Sequence, residues 1–156
     1  MTWIGRLSKM LSIPLIGAVL GGCTATVPMM SEQYDLAAEK FQPAPGMGNI
    51  YVVRDDNFKG SAIAFRIEVD GRSIGSIAPG TYHFLELNPG DHTVLATTQE
   101  NSDHEKIRLA EGQIYFIEVE PKFGMIAARV SLEIVDQERG KKLVIDGSRA
   151  ETLDFD

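Results

Sequence analysis

The chain has 156 residues, with 15 lysines and arginines, 22 aspartates and glutamates, and a single cysteine. Its 44% hydrophobic and 24% charged residues are typical of one globular domain with short additions, which excludes wholesale disorder and a polytopic membrane protein. One cysteine excludes a disulfide framework and an all-cysteine metal site. The formal charge of -7 argues against a nucleic-acid partner, because phosphate binding needs clustered lysines and arginines.

The first 22 residues have the layout of a secretory signal peptide. Arg6 and Lys9 form a basic start, residues 10–20 are apolar, and two glycines follow. The apolar stretch is about half of the roughly 20 residues that a membrane-spanning helix needs. We therefore predict that residues 1–22 are a signal peptide that is cleaved from the mature protein.

The cleavage region is more specific than a general signal. Leu20-Gly21-Gly22-Cys23 resembles the lipobox of bacterial lipoproteins, in which a cysteine follows a leucine and two small residues. The resemblance implies cleavage between Gly22 and Cys23, a diacylglyceryl group on the Cys23 sulfur, and a further acyl chain such as palmitate on its amine. Two chains give stable anchoring. The alternatives are a secreted protein with a chance cysteine at its cleavage site, or a buried core cysteine.

The charge of the mature chain and the residue after the cysteine extend this prediction. Without residues 1–22 the chain has 13 basic and 22 acidic residues, a formal charge of -9, so anionic headgroups should repel it and the lipid must hold it. Thr24 stands where an aspartate usually retains enteric lipoproteins at the inner membrane. The resemblance therefore implies the outer membrane, facing the periplasm.

Residues 23–48 are expected to be the lipidated cysteine and a tether. Pro28, Pro43 and Pro45 break regular structure within this segment. A short helix over residues 32–41 is compatible with the pattern. Two interpretations of it stay open, a partner-binding helix and a frayed turn in a spacer.

From Asn49 onward apolar residues recur at every second position, which is typical of strands. The run 63–69 is followed by Asp70-Gly71, which predicts a two-residue hairpin turn, and Gly75 in the next run predicts a bulge. Further short runs follow at about the 8–12-residue spacing of a sandwich or barrel. They are residues 81–87, 92–98, 107–109, 115–119 and 130–134.

The sequence thus predicts an all-β fold, an antiparallel β-sandwich of about seven to eight short strands over residues 49–146. Residues 136–143 are compatible with a single helical turn or with a hairpin. Residues 147–156 are expected to form a ragged acidic tail.

Five stretches carry a resemblance to a known family. They are GNIYVVRDDNFKGSA (48–62), VDGRSIGSI (69–77), LNPGDHTV (87–94), AEGQIYFIEV (110–119) and LEIVDQERGKKL (132–143). Here the chain resembles the bacterial domain of unknown function 2846, and its hairpin-and-turn core is similar to the PEGA domain, a small β-sandwich of bacterial surfaces. The resemblance implies this fold and a lipoprotein of the envelope. It implies no activity, catalytic residue or cofactor.

Two short motifs suggest chemistry but lack its context. Residues 71–75 match the G-x-S-x-G pattern around Ser73, yet a hydrolase elbow needs a strand-to-helix turn in a large α/β sheet. The acidic run beginning at Asp55 faintly suggests a calcium loop, but Arg66 stands where that loop needs a glutamate. We expect both to be chance matches, and we expect the acidic groups at 100–105 and 118–120 to be solvated.

The histidines and one apolar loop are the remaining candidates. His83 and His92 share strand faces with apolar residues and could meet across the sheet to bind a metal, although packing histidines are the simpler interpretation. His104 is expected to be solvated. Residues 121–128 break the strand pattern with an apolar loop, which is either an exposed docking patch or a loop folded over the open end of the sandwich.

These observations predict a lipid-anchored, non-catalytic binding or structural accessory of the bacterial envelope. It would contact another envelope protein or the cell-wall polymer through loops or a sheet edge. The alternative is a small hydrolase or metal-handling periplasmic protein that uses His83 or His92. A chaperone or lipid-binding role stays open as a third possibility.

Overall fold

The computed structural model describes residues 24–57 and 60–153. In this part of the chain nine strands and two helices follow one another. They are α1 (Glu32–Ala38), β1 (Gly48–Val53), β2 (Phe65–Val69), β3 (Arg72–Ile77), β4 (Thr81–Leu87), β5 (Gly90–Thr97), β6 (Ser102–Leu109), β7 (Ile114–Lys122), β8 (Arg129–Val135), α2 (Gln137–Asp146) and β9 (Ser148–Arg149). Neither helix is long and apolar enough to span a bilayer, within the residues described.

The strands form two sheets, which confirms the predicted all-β sandwich. One sheet has the order β8-β7-β1-β4-β9 and the other the order β3-β2-β5-β6. Among the described strands, five pairs are antiparallel, as predicted: β1–β4, β2–β3, β2–β5, β5–β6 and β7–β8. By contrast, β1 pairs with β7 and β4 with β9 in parallel. The parallel pairs arise where strands far apart in the sequence become neighbours.

The predicted turn chemistry between β2 and β3 is confirmed. Asp70 and Gly71 have φ angles of 51° and 77°, the positive values that a two-residue hairpin turn requires. The register between the strands shifts after Ile67, which pairs with Gly75, and this is the predicted bulge. These local signals set the register of the four-stranded sheet.

The main core lies between the two sheets. It is built from inward-facing aliphatic side chains of both, because alternate residues of a strand point to opposite faces. Its members include Ile50 and Val52 of β1, Ile67 of β2 and Ile117 of β7, all without exposed surface. On one side of the sandwich β6 and β8 lie side by side, joined by the Asp103 carboxylate, which accepts from the Leu132 N–H at 2.9 Å.

The outer face of the five-stranded sheet carries a second apolar group, the outer-face cluster. Its fully buried members come from three strands and both helices. They are Ala38, Tyr51, Val53, Tyr82, Phe116, Leu143 and Val144. Tyr51 and Phe116 stack with ring centroids 5.0 Å apart, and the Tyr51 hydroxyl donates to the Ala38 carbonyl at 2.7 Å. The two helices therefore cover this face of the sheet.

Helix α2 is longer than the single turn or hairpin predicted for residues 136–143. The side chain of Arg139 in α2 binds the sheet. Its guanidinium donates to both carboxylate oxygens of the buried Glu118, at 2.6 and 3.1 Å, and to the Asp55 carboxylate at 2.9 Å. Gly140 lies against the ring of Phe116, where a Cβ would stand 2.1 Å from Cγ. Only glycine lets the helix approach this closely.

The structure corrects the predicted tail. Residues 147–156 were expected to be ragged, but β9 adds to the edge of β4 and Ala150 is fully buried. The main-chain N–H of Arg149 and the hydroxyl of Tyr82 both bond the carboxylate of Asp35 in α1. The body of the sandwich thus extends past the predicted limit of residue 146.

The predicted spacer is also packed against the domain. Met29 forms a β-bridge with Ala150, and the Met30 N–H donates to the Arg149 carbonyl at 2.9 Å. Helix α1 then buries Ala38 in the outer-face cluster. A frayed turn in a free spacer is therefore the wrong interpretation of residues 32–41, because these residues supply part of the cover.

Candidate functional site

The connection between β7 and β8 is the most unusual surface of the described chain. We call residues 123–128 the apolar loop. Phe123, Met125 and Ile126 are 94%, 97% and 95% exposed. Folded proteins rarely leave adjacent large apolar side chains so open unless they meet a partner or a membrane. The loop predicted over residues 121–128 is therefore exposed and not folded over the open end of the sandwich, although Pro121 and Lys122 belong to β7; that it is a docking patch stays a prediction.

One carboxylate sets the shape of this loop. Glu100, in the turn between β5 and β6, accepts hydrogen bonds from the N–H groups of Met125, Ile126 and Ala127, each at 3.0 Å. These bonds hold the pKa of Glu100 low, at about 2, because they favour the charged carboxylate. The sequence predicts a solvated acid at Glu100, and the structure corrects this. Its partners lie 25–27 residues away, so no local signal could reveal them.

A glycine makes the tight loop possible. A Cβ on Gly124 would stand 1.9 Å from the Ala127 carbonyl oxygen and 2.4 Å from a carboxylate oxygen of Glu100. Any other residue would force the Ala127 backbone and the Glu100 carboxylate to shift. The apolar side chains are therefore presented on a fixed backbone.

A cavity of about 490 Å³ opens beside the apolar loop. Gly60, Ile63 and Pro121 form its other wall. Gly60 and Ile63 belong to the segment between β1 and β2, and Pro121 belongs to the end of β7. The apolar loop and the β1–β2 segment thus meet at one end of the sandwich.

The buried Arg54 holds that β1–β2 segment in place. Its guanidinium donates to the carbonyls of Ile63 at 2.6 Å, Gly60 at 2.8 Å and Ile77 at 3.2 Å, and stacks over the Phe65 ring at 4.6 Å. Burial lowers the pKa of Arg54 to about 10. Among the residues described, its Nε has no hydrogen-bond partner. Arg54 is a positioning residue that sequence analysis missed.

The described chain begins against the same segment. The Ala25 N–H donates to the Ser61 carbonyl at 2.8 Å, next to Gly60. Gly22 and Cys23, the predicted cleavage and lipidation residues, lie outside the described residues. In the sequence, Ala25 follows Cys23 by two positions.

His83 is a packing residue of β4. It has no exposed surface, and its Nε2 and Nδ1 lie 3.1 Å from the Ser76 carbonyl and 3.4 Å from the Thr152 hydroxyl. Burial lowers its pKa to about 4, so the ring is neutral at neutral pH. Both ring nitrogens already have partners within the fold.

His92 lies in the other sheet and links the β2–β3 turn to the β4–β5 turn. Its Nδ1 is 2.7 Å from the Asp70 carboxylate and its Nε2 is 2.9 Å from the Asn88 carbonyl. Burial acts to lower its pKa, but the bonds to these acceptors outweigh it and raise the pKa. The structure does not bring His83 and His92 together, because they belong to different sheets. In residues 24–57 and 60–153, no cluster of three histidine, cysteine or acidic side chains forms a metal site.

The G-x-S-x-G match at Ser73 and the calcium-loop match at Asp55 lie in ordinary structural positions. Ser73 is exposed on β3, just after the hairpin turn, where no helix follows it. Asp55 pairs with Arg139 of α2 instead of lining a calcium loop. Neither residue has the surroundings that its motif requires.

The features above define a class, a small all-β sandwich domain with one face covered by two helices and one end formed by a fixed apolar loop. The family model described as "Protein of unknown function (DUF2846)" matches residues 44–131, and the chain belongs to this family. A protein of Haemophilus influenzae named "Uncharacterized protein" is 30% identical over 143 residues, which cover 91% of this chain and 84% of that protein. The predicted family is confirmed, whereas the PEGA similarity stays a prediction.

Proposed function

We propose that this protein is a lipid-anchored lipoprotein of the bacterial envelope that serves as a non-catalytic binding or structural accessory. The observation that carries the proposal is the bond between Ala25 and Ser61. It joins the folded domain to Ala25, which is two positions after Cys23 of the predicted lipobox. The membrane partner is reached through acylated Cys23, and the other partner is an envelope protein or the cell-wall polymer.

Fractionation of cells tests the anchor and its destination. The wild-type protein should sediment with the outer membrane. Cys23→Ala should be missing from the mature protein of that fraction or should accumulate as an uncleaved precursor. Thr24→Asp is the matched variant, because it keeps the lipobox and should move the protein to the inner membrane. Equal distribution of the wild type and Cys23→Ala would contradict the lipid anchor.

The surface available to a second partner is formed by turns. The edge strands β6 and β8 are joined to each other, and the Leu153 N–H bonds the Ile74 carbonyl on β3 at 3.1 Å. We therefore favour loops over a sheet edge. Photocrosslinkers at the exposed turn residues Asn88 and Glu111, with Cys23→Ala as the unanchored control, should capture one dominant envelope partner in the anchored protein. No specific adduct at either position would count against an accessory role.

The alternative, a hydrolase or metal-handling protein that uses His83 or His92, gains no support from the geometry, because both rings are held by bonds within the fold. The metal content of the purified protein decides this point. Stoichiometric zinc or copper in the wild type that is lost in His83→Gln or His92→Gln would establish the alternative.

A further inference from the structure

We propose that the apolar loop inserts into the bilayer leaflet that holds Cys23, so that the domain rests on the membrane at this end. The inference rests on the proposed lipid anchor and deepens it by naming a second membrane contact. The ligand is the acyl and glycerol region of a phospholipid leaflet. On the protein, the inserting side chains are Phe123, Met125 and Ile126, the three exposed side chains of the apolar loop.

The first argument is position. Ser61, which binds Ala25, is adjacent to Gly60, and Gly60 lines the same cavity as the apolar loop. Pro121 lies against Gly60 as well, where a Cβ on that glycine would stand 2.9 Å from the Pro121 Cβ. An acyl chain on Cys23 therefore enters the leaflet beside the loop. The segment 24–30 is fastened to the domain, so it does not hold the loop away from the membrane.

The second argument is the chemistry of the loop. Residues 123–128 carry no charged or polar side chain. Unpaired backbone N–H groups oppose entry into an apolar phase. Here three of them are already paired with Glu100. Insertion would therefore not expose these three donors to lipid, and the charged Glu100 carboxylate would stay at the headgroup level while the apolar side chains go deeper.

The third argument is the placement of charge around the loop. Lys122 and Arg129 stand at its two ends, both exposed, and Lys122 pairs with Glu120. Basic side chains favour the headgroup level of a leaflet. They would stay at that level while the three apolar side chains between them go deeper. This arrangement limits insertion to the tip of the loop.

The contact also sets the direction in which the domain faces. Strand β7 runs from the turn at residues 110–112 to the apolar loop, so its nine residues separate these ends by about 30 Å. The turns that contain Asp70, Asn88 and Glu111 would then face away from the membrane. They are the part of the molecule that a periplasmic partner could reach.

Quenching of tryptophan fluorescence by brominated phospholipid tests the insertion. The only tryptophan is Trp3 in the predicted signal peptide, so a probe in the mature protein has no background. Phe123→Trp is the test probe. Arg108→Trp is the matched control, because Arg108 is exposed near the far end of β6. Each full-length lipoprotein is purified from membranes and reconstituted into phosphatidylethanolamine–phosphatidylglycerol vesicles, with and without brominated acyl chains.

We expect the tryptophan at position 123 to shift to shorter wavelength and to lose most of its emission in brominated vesicles. The tryptophan at position 108 should keep its emission. Equal emission of both probes in brominated vesicles would overturn insertion, and so would a photocrosslinker at Ile126 that captures one protein and no lipid. The mass of the N-terminal peptide is measured on the same samples, so acylated Cys23 with an unquenched probe would reject insertion alone.

Discussion

The outer-face cluster and the apolar loop are both groups of large apolar side chains outside the main core, and the fold treats them in opposite ways. Tyr51, Tyr82 and Phe116 of the cluster are buried under two helices, whereas Phe123 and Ile126 of the loop are almost fully exposed. The two helices that cover the cluster, α1 and α2, come from opposite ends of the described chain. The comparison teaches that this protein covers other apolar surface with its own residues, which supports the membrane contact proposed above for the open loop.

The largest expected effect comes from displacing the cover of the cluster. Gly140→Ala places a Cβ against the Phe116 ring and should lower the free energy of unfolding by about 3 kcal/mol, the upper part of the range for overpacking. Urea unfolding measures this loss. Gly90→Ala is the matched control, because its Cβ would meet only His92 Nε2 at 3.9 Å, and the two variants should therefore differ clearly. Equal stability of both would show that α2 does not need its close approach.

Acid should weaken the packing between the two sheets through His83, which points away from the outer-face cluster and whose Nε2 lies against the Ser76 carbonyl of β3. The folded pKa of about 4 lies below the ordinary 6.5, so the unfolded chain binds the proton first and stability falls as pH drops through this window. At pH 4.5 this should cost on the order of 2 kcal/mol relative to pH 7.5. Urea unfolding should show a larger acid loss in the wild type than in His83→Gln, where groups such as Glu100 still contribute a loss. Parallel pH profiles would remove His83 as the cause.

A smaller effect is expected where α1 joins the cluster. Tyr82→Phe removes the hydroxyl that bonds Asp35 and should lower the free energy of unfolding by about 1 kcal/mol, the usual net value of a hydrogen bond. Tyr115→Phe is the control, because its hydroxyl makes only an exposed contact of 3.4 Å with the Arg108 carbonyl. Thermal unfolding of both variants should show a lower midpoint for Tyr82→Phe alone. Equal midpoints would mean that α1 is not fastened by Asp35.

The smallest effect on stability is expected at the apolar loop. Phe123→Ser should change the free energy of unfolding by less than about 0.5 kcal/mol, because the ring contacts water in the isolated protein. Equilibrium unfolding in detergent-free buffer with the Cys23→Ala chain checks this. A loss comparable to that of Gly140→Ala would show that the ring is packed inside the fold, and it would contradict the contrast drawn between the outer-face cluster and the apolar loop.

The sequence predicts the parts of this molecule that local chemistry determines. The strands over 72–77 and 81–87 and the Asp70-Gly71 turn are found where the pattern places them, because alternation and turn residues act over a few positions. The cover of the cluster was missed, since Asp35 meets Arg149 across 114 residues of chain. Glu100 was missed for the same reason. The large side chains of the apolar loop are exposed because no distant part of the described chain packs on them, and a short sequence pattern does not contain that information.

The mass of the N-terminal tryptic peptide of the mature protein tests the central claim most directly. Cleavage before Cys23 and after Lys40 defines this peptide as residues 23–40. We predict that it begins at Cys23 and carries a diacylglyceryl group, with a further acyl chain on its amine, in protein purified from membranes. A peptide with a free thiol, or one that begins at another residue, would contradict the lipid anchor and the membrane contact built on it.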